Sequence, residues 1–324
     1  MGDLGRGIID WNSDGKILTA EQKRFYQQNG YLVIRNCVSE ADIDRYYDRF
    51  KYIVHADKSE FPYVSVMRDI TLSNTQVVKD VNQVTKIQTW QDDEVLFDYC
   101  KTPLIVDILK DLIGTPQSNL VAMHTVLINK PLDTGAMSSR HPMHQDLQYF
   151  PFRPADFICT AWTAMQTVNR DNGCLTFVPG THKGPLLPHV HPDWQAYSIA
   201  LKNSRNANNK AYHGIRDFDP STPRVHVEME KGDTVFFHPL IHHGSGANKT
   251  DGFRRAISCH YANDDLCYYS DERNETQDSV DKDLMEIFER KLKNLGIELD
   301  MEDLDYSITF KIRSRPVNGT KSNL

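Results

Sequence analysis

Residues 140–154, with the sequence RHPMHQDLQYFPFRP, hold two histidines and an aspartate at spacings that suit a metal ion. Because side chains of a β-strand alternate between its two faces, His144 and Asp146 can point at one ion. His141 is expected on the opposite face as a plain turn histidine, with a partner that orients a metal ligand as the alternative. Gln145 is expected to point away from the ion. An imidazole with a carboxylate suits iron or zinc. Polar loops often carry such a triplet by chance, so this interpretation depends on a third ligand.

A predicted hairpin further along the chain brings more polar residues onto one face. Residues 240–246 and 253–260 have strand-like composition and flank a turn segment. We expect Gly246 to pair with Phe253, which fixes the register of the two arms. The residues that share one face in this register are His243, Ser245 and Arg254.

His243 is the third ligand that this register favours. His242 and His260 are assigned to the opposite face. His238 is followed by Pro239, which has no N–H to donate to a strand partner.

Two histidines and one carboxylate on a β scaffold are the ligand set of non-haem Fe(II) oxygenases. Arg254 could hold the far carboxylate of 2-oxoglutarate, because its planar fork matches a carboxylate. Ser245 could add one hydrogen bond. A slip of one residue would put Arg255 in that place, and a solvated basic pair is the alternative. Zinc would accept the same ligands and support hydrolysis, but it does not require an arginine beside the site.

The first third of the chain is predicted to be rich in helix, with one or two strands. Thr19 and Gln22 form a capping box, and Gly30 ends the helix that begins there. A strand is predicted at residues 31–34. The other predicted helices run from Ser39 to about His55, from Pro103 to Gly114 and from Ser279 to Gly296.

After residue 118 the pattern changes to short apolar runs separated by turn residues. These runs lie at residues 120–129, 157–168, 174–178, 224–229, 233–238, 240–246 and 253–262. Many short strands with little helix between them predict an antiparallel sandwich or barrel. Residues 185–223 lack periodicity and are interpreted as a long loop, either a lid or a disordered segment.

Composition narrows the function classes. The net charge of −7 and the pI near 6.0 argue against a nucleic-acid partner. We find no apolar run long enough to cross a bilayer, so stable membrane insertion is not expected. The six cysteines form no CxxC pair and are interpreted as buried reduced thiols.

Several segments together resemble the phytanoyl-CoA dioxygenase family. They are NGYLVI at residues 29–34, HPMHQDLQYFPFRP at 141–154, PGTHKG at 179–184, MEKGDTVFFHP at 229–239 and HGSGANKTDGFR at 243–254. The resemblance extends from about residue 17 to the end. It implies a mainly β fold with flanking helices and a double-stranded β-helix, or jelly-roll, core. We expect a single catalytic domain at residues 19–313, a flexible lead-in at 1–18 and a tail at 314–324.

Carried over to matching positions, the resemblance implies a role for eight residues. The implied iron ligands are His144, Asp146 and His243. The implied partners of the distal carboxylate of 2-oxoglutarate are Arg254 and Ser245. The positions that line the cosubstrate pocket are Trp162, Lys86 and Val126. The alternatives are a core aromatic for Trp162 and a solvated surface lysine for Lys86.

The resemblance implies 2-hydroxylation of a 3-methyl-branched fatty acyl-CoA in fatty-acid alpha-oxidation. Fe(II), 2-oxoglutarate and dioxygen would be required, with ascorbate in a supporting role. The same chemistry on another substrate, and a non-catalytic binding protein, are the alternatives. The last three residues, SNL, resemble a peroxisomal import signal with Asn where Lys is usual, which would engage an import receptor. A cytoplasmic location is the alternative.

Overall fold

Helices come first along the chain, and strands dominate after them. The computed structural model describes residues 8–68, 80–133, 139–192, 212–272, 275–294, 296–297, 304–319 and 323–324. In this part of the chain the helices are α1 (Ala20–Asn29), α2 (Glu40–His55), α3 (Glu94–Cys100), α4 (Pro103–Ile113), α5 (Glu275–Asn294) and α6 (Ser307–Arg313). The strands are β1 (Tyr31–Ile34), β2 (Ser65–Arg68), β3 (Val84–Gln88), β4 (Leu120–Lys130), β5 (His141–His144), β6 (Phe152–Arg153), β7 (Ile158–Ala164), β8 (Leu175–Val178), β9 (His189–Val190), β10 (Gly214–Ile215), β11 (Val225–Val227), β12 (Thr234–Phe237), β13 (His242–Ser245), β14 (Arg254–Asn263), β15 (Tyr268–Tyr269) and β16 (Arg315–Pro316).

Local capping fixes the ends of the early helices. Thr19 and Gln22 form the predicted capping box: each side chain accepts the backbone N–H of the other residue. Gly30 ends α1 with a φ of 81°, in the left-handed region that favours glycine. The sequence predictions for α1, α2 and α4 are confirmed. Helix α5 begins four residues before the predicted Ser279.

A large antiparallel sheet forms the centre of the fold. Its strand order is β1-β12-β7-β14-β4-β3-β2, and β16 pairs with β4 beside this path. One face packs against α1 to α4. For example, α4 places Ile105, Ile108 and Leu112 in that interface with no exposed surface. Each such side chain contributes about 1.5–3 kcal/mol of burial free energy.

A smaller sheet covers the other face of the large one. Its strand order is β11-β8-β13-β5. Side chains from both sheets form one apolar cluster, which includes Trp162, Phe177, Phe237 and Ala256. Two facing antiparallel sheets with helices outside one of them confirm the expected mainly β fold.

The predicted hairpin between residues 240–246 and 253–260 is wrong. Strand β13 lies in the small sheet, between β8 and β5, and β14 lies in the large sheet, between β7 and β4. The intervening segment therefore crosses from one sheet to the other. Residues of β13 and β14 still face each other, because they lie on the inner faces of two stacked sheets.

The ends of the chain and the long loop are described only in part. Residues 193–211 of the loop predicted at 185–223 lie outside the described residues, and β9 and β10 pair across that gap. Residues 1–7 and 320–322 also lie outside them. Leu18 of the predicted lead-in and Leu324 of the predicted tail are buried, and β16 also lies in that tail. These contacts do not define where a domain begins or ends, so the predicted boundaries of the catalytic domain stay a prediction. No helix among the described residues has the length and apolarity that crossing a bilayer requires.

Candidate metal centre and cosubstrate site

Three side chains converge between the two sheets. His144 ends β5, Asp146 begins a 3-10 turn just after it, and His243 lies directly opposite His144 in β13. Their candidate ligand atoms all lie within 4.8 Å of one another, and all three residues are buried. Asp146 lies outside the strand, so alternation within β5 does not explain its position. The turn brings its Oδ1 atom to 3.2 Å from His144 Nε2 and 3.5 Å from His243 Nε2.

Backbone carbonyls orient both imidazoles. His144 Nδ1 lies 2.9 Å from the carbonyl oxygen of Pro142, and His243 Nδ1 lies 3.0 Å from that of Ile241. When each Nδ1–H donates to its carbonyl, the lone pair on Nε2 faces the space shared with Asp146. Such hydrogen bonds commonly fix the tautomer of metal-binding histidines.

The protonation states suit a cation. Burial, reinforced by the neighbouring His144, lowers the pKa of His243 to about 3. Burial alone would raise the pKa of Asp146, but the imidazoles of His243 and His260 hold that pKa well below its usual value. At neutral pH the cluster therefore offers a neutral His243 imidazole and an ionised carboxylate, which are the forms that bind a divalent metal.

His260 contacts the same carboxylate from the large sheet. Its Nε2 atom lies 3.0 Å from Asp146 Oδ2, and Thr160 Oγ1 lies 3.5 Å from that oxygen. His260 is six residues from Arg254 in β14, so alternation places both on one face. The assignment of His260 to the face opposite the site is therefore wrong. Its even spacing from Arg254 was the signal that could have identified it.

Arg254 lies on the same inner face and is almost fully buried, with 2% of its surface exposed. Its guanidinium carbon lies 5.3 Å from the centre of the Trp162 ring. Its Nε and Nη1 atoms have no hydrogen-bond partner among the described residues. A buried guanidinium with two unpaired nitrogens is suited to an anion. The donor set of the cluster and this guanidinium thus fit a divalent metal together with a carboxylate ligand.

Ser245 reaches this region from β13. Its Oγ atom lies 2.7 Å from Lys130 Nζ. Lys130 is the cross-strand partner of Arg254, which places both cations on one face of the large sheet. Lys130 was not identified from the sequence, because its position beside Arg254 depends on the β4–β14 register.

The other predicted pocket residues line the inner face of the large sheet. Val126 is the cross-strand partner of Ser258, which also pairs with Trp162. Trp162 belongs to the apolar cluster between the sheets, as a core aromatic would. Its ring also contacts Arg254, as a residue lining the cosubstrate pocket would. Lys86 is half-buried on β3, and its Nζ atom lies 5.1 Å above the Tyr212 ring.

The remaining histidines are placed elsewhere. His238 Nε2 lies 3.2 Å from Asp156 Oδ1, and His238 is not one of the three converging residues. His242 is half-buried and does not join the three converging residues. His141 is not a plain turn histidine, because its Nδ1 atom lies 3.2 Å from His144 Nδ1 in β5.

Gln145 points away from the cluster, as expected. Its Nε2 donates to the carbonyls of Pro185 and Leu240, and its Oε1 accepts the N–H of Leu187. It therefore ties the start of the long loop to the strand that carries His144.

A family model and two similar relatives point to the same protein family. The family model for phytanoyl-CoA dioxygenase matches residues 26–256. A probable phytanoyl-CoA dioxygenase of Caenorhabditis elegans is 54% identical, over 99% of this chain and 100% of that protein. The human peroxisomal phytanoyl-CoA dioxygenase is 45% identical, over 98% of this chain and 87% of that protein.

Solved structures share the fold at much lower identity. The epimerase SnoN, in complex with Fe3+, alpha ketoglutarate and nogalamycin RO, has a TM-score of 0.55 at 19% identity, over 77% of this chain and 84% of that chain. EctD from S. alaskensis, with 2-oxoglutarate and 5-hydroxyectoine, has a TM-score of 0.56 at 15% identity, over 83% and 86%. At these identities the similarities show the fold alone.

Proposed function

The chain belongs to the phytanoyl-CoA dioxygenase family and is an enzyme of that dioxygenase type; on this premise we propose that it hydroxylates C2 of a 3-methyl-branched fatty acyl-CoA. Fe(II) and dioxygen are required, 2-oxoglutarate is the cosubstrate, and ascorbate supports activity by keeping the iron reduced. The names of the relatives support the acyl-CoA substrate and a place in fatty-acid alpha-oxidation. The SnoN complex with Fe3+ and alpha ketoglutarate supports the use of iron and 2-oxoglutarate, and the EctD complex supports the use of 2-oxoglutarate.

One observation carries this proposal: a buried His-Asp-His cluster faces a buried arginine with unpaired nitrogens. In the proposal the three metal ligands are His144, Asp146 and His243. Bound Fe(II) supplies the activation of dioxygen, which amino-acid side chains cannot perform. The protein orients the imidazoles through backbone carbonyls and holds the aspartate through His260, so the ligands need little rearrangement when the metal binds.

The remaining residues hold and shield the cosubstrate. Arg254 forms charge-assisted hydrogen bonds to the distal carboxylate, and Ser245 donates one more. Trp162 and Val126 are buried beside them and exclude water, which strengthens these electrostatic contacts. Lys86 lies at the half-buried edge of the pocket and adds positive charge there.

We also propose a peroxisomal location, which the names of the mammalian relatives support. At the chain's end, Leu324 is buried, and its N–H donates to Asp264 Oδ1 at 2.9 Å. An import receptor that binds the final residues therefore requires these contacts to open.

Product analysis tests the substrate. The protein is incubated with Fe(II), 2-oxoglutarate and, in parallel, a 3-methyl-branched acyl-CoA, a straight-chain acyl-CoA or a branched free acid. We expect a 2-hydroxyacyl-CoA from the branched thioester, with one succinate formed per product. If no acyl-CoA gains a 2-hydroxyl group, the proposed substrate is wrong. If the protein instead hydrolyses a substrate with Zn²⁺ and without 2-oxoglutarate, the zinc hydrolase alternative is correct.

A further inference from the structure

Two cations lie side by side on the inner face of the large sheet. Lys130 and Arg254 are direct cross-strand partners, and their exposed surface fractions are 6% and 2%. Such partners have β-carbons roughly 5 Å apart. Among the described residues neither forms an ion pair with a carboxylate within 4.0 Å.

Burying two like charges together is unfavourable unless an anion accompanies them. Burial and the adjacent Arg254 charge lower the pKa of Lys130 well below its ordinary value. A carboxylate placed between the two cations would reverse that effect. The arrangement therefore indicates a ligand with a negative charge at this end of the pocket.

The contacts of Lys130 show how it acts on its neighbour. Its Nζ atom donates to Ser245 Oγ and to the carbonyl of Gly246, both at 2.7 Å. An ammonium group has three N–H donors, so one remains after these two bonds. Because Ser245 Oγ accepts from Lys130, the hydroxyl proton of Ser245 is available to another acceptor.

We propose that Lys130 is the second cation of the distal-carboxylate site: it donates its third N–H to that carboxylate and fixes Ser245 as a donor toward it. This inference rests on the proposed function and deepens it. It makes Lys130 a determinant of specificity for 2-oxo acids with a second carboxylate. The contact with Gly246 also anchors the residue that follows Ser245, so the lysine positions the serine through both side chain and backbone.

The test compares two ligands of equal chain length. Binding of 2-oxoglutarate and of 2-oxopentanoate, which lacks the distal carboxylate, is measured by calorimetry on Fe(II)-loaded protein without dioxygen. For Lys130→Met we expect the Kd of 2-oxoglutarate to rise roughly 10- to 100-fold, the loss expected for a charge-assisted hydrogen bond. The Kd of 2-oxopentanoate should change less than about twofold.

Two further variants control for the loss of a positive charge elsewhere and for misfolding of Lys130→Met. Lys249→Met removes the same charge from an exposed position on the adjoining loop, and it should bind both acids as the wild type does. Lys130→Gln keeps hydrogen-bond donors without the charge, so it should recover part of the lost affinity and serves if Lys130→Met does not fold. In turnover the Lys130 variants should raise KM for 2-oxoglutarate more than they lower kcat.

The outcomes distinguish this inference from the proposed function. If Lys130→Met and Lys130→Gln bind 2-oxoglutarate as tightly as the wild type, or lose affinity for both acids equally, the role of Lys130 is wrong and the proposed function stands. If Fe(II)-loaded wild type does not bind 2-oxoglutarate at all, both are wrong.

Discussion

Asp146 shares its carboxylate between two groups: Oδ2 lies 3.0 Å from His260 Nε2, while Oδ1 faces the imidazoles of His144 and His243. The residue therefore belongs to the metal cluster through one oxygen and to the large sheet through the other. His260 is in turn held by the backbone, because its Nδ1 lies 3.3 Å from the carbonyl oxygen of His124. This chain of contacts connects the position of the carboxylate to the paired strands β4 and β14.

Replacing His260 with Ala should weaken metal binding. The carboxylate would lose the contact that orients it, and loss of such a partner typically lowers metal affinity about 10- to 100-fold. The measurement is the Fe(II) dissociation constant of the purified protein. His242→Ala removes a half-buried histidine outside the cluster and serves as the control, with affinity near that of the wild type. Equal affinities for His260→Ala and the control would show that this contact has no role in metal binding.

The carboxylate of Asp111 should stabilise the folded protein by holding the backbone of residues 16–18. Its carboxylate accepts the backbone N–H groups of Lys16, Ile17 and Leu18 at 2.8, 2.8 and 2.9 Å. Asp111→Ala leaves three donors unpaired and should lower the free energy of unfolding by about 2–4 kcal/mol. Denaturant unfolding measures this. Asp107→Ala breaks a partly exposed ion pair with Lys16 and should cost less than about 1 kcal/mol. A similar loss in both variants would contradict the anchoring role of Asp111.

The affinity for an anionic ligand should depend on pH through Lys86. Burial lowers the pKa of this lysine to about 8, so it is mainly charged below that pH and mainly neutral above it. If the ammonium attracts the cosubstrate, KM for 2-oxoglutarate should increase as the pH rises through about 8. In Lys86→Met this increase should be smaller, with a higher KM below pH 8. Identical pH profiles for the wild type and Lys86→Met would show that Lys86 does not contribute to cosubstrate binding.

Local sequence signals predicted α1, α2, α4 and α5 but not α3 or α6, and they predicted β1 and seven of the later strands. The Thr19 capping box, Gly30 and Pro103 act on neighbouring backbone groups, so their effect does not depend on the rest of the fold. The seven apolar runs after residue 118 correspond to β4, β7, β8, β11, β12, β13 and β14. Their alternation and turn residues are likewise local.

Partner choice between strands could not be predicted in the same way. Turn residues after Gly246 indicate that the chain changes direction, but a hairpin and a crossing between two sheets have similar turn composition. The convergence of Ser245 and Arg254 was therefore predicted for the wrong reason. Lys130 was missed because its position beside Arg254 depends on how β14 aligns with β4. His260 was assigned to the wrong face although its even spacing from Arg254 within β14 was available, and only its contact with Asp146 depends on how the sheets stack.

Succinate formation from 2-oxoglutarate tests the central claim most directly. It is measured with and without Fe(II) in the wild type, in His243→Ala and in His242→Ala, in the presence of the branched acyl-CoA. We predict Fe(II)-dependent succinate in the wild type and in His242→Ala, and a loss of about three orders of magnitude or more in His243→Ala, because two ligands cannot hold the metal for turnover. Loss of succinate in His242→Ala with retention in His243→Ala, or succinate formation by the wild type without Fe(II), would contradict the assignment of His144, Asp146 and His243.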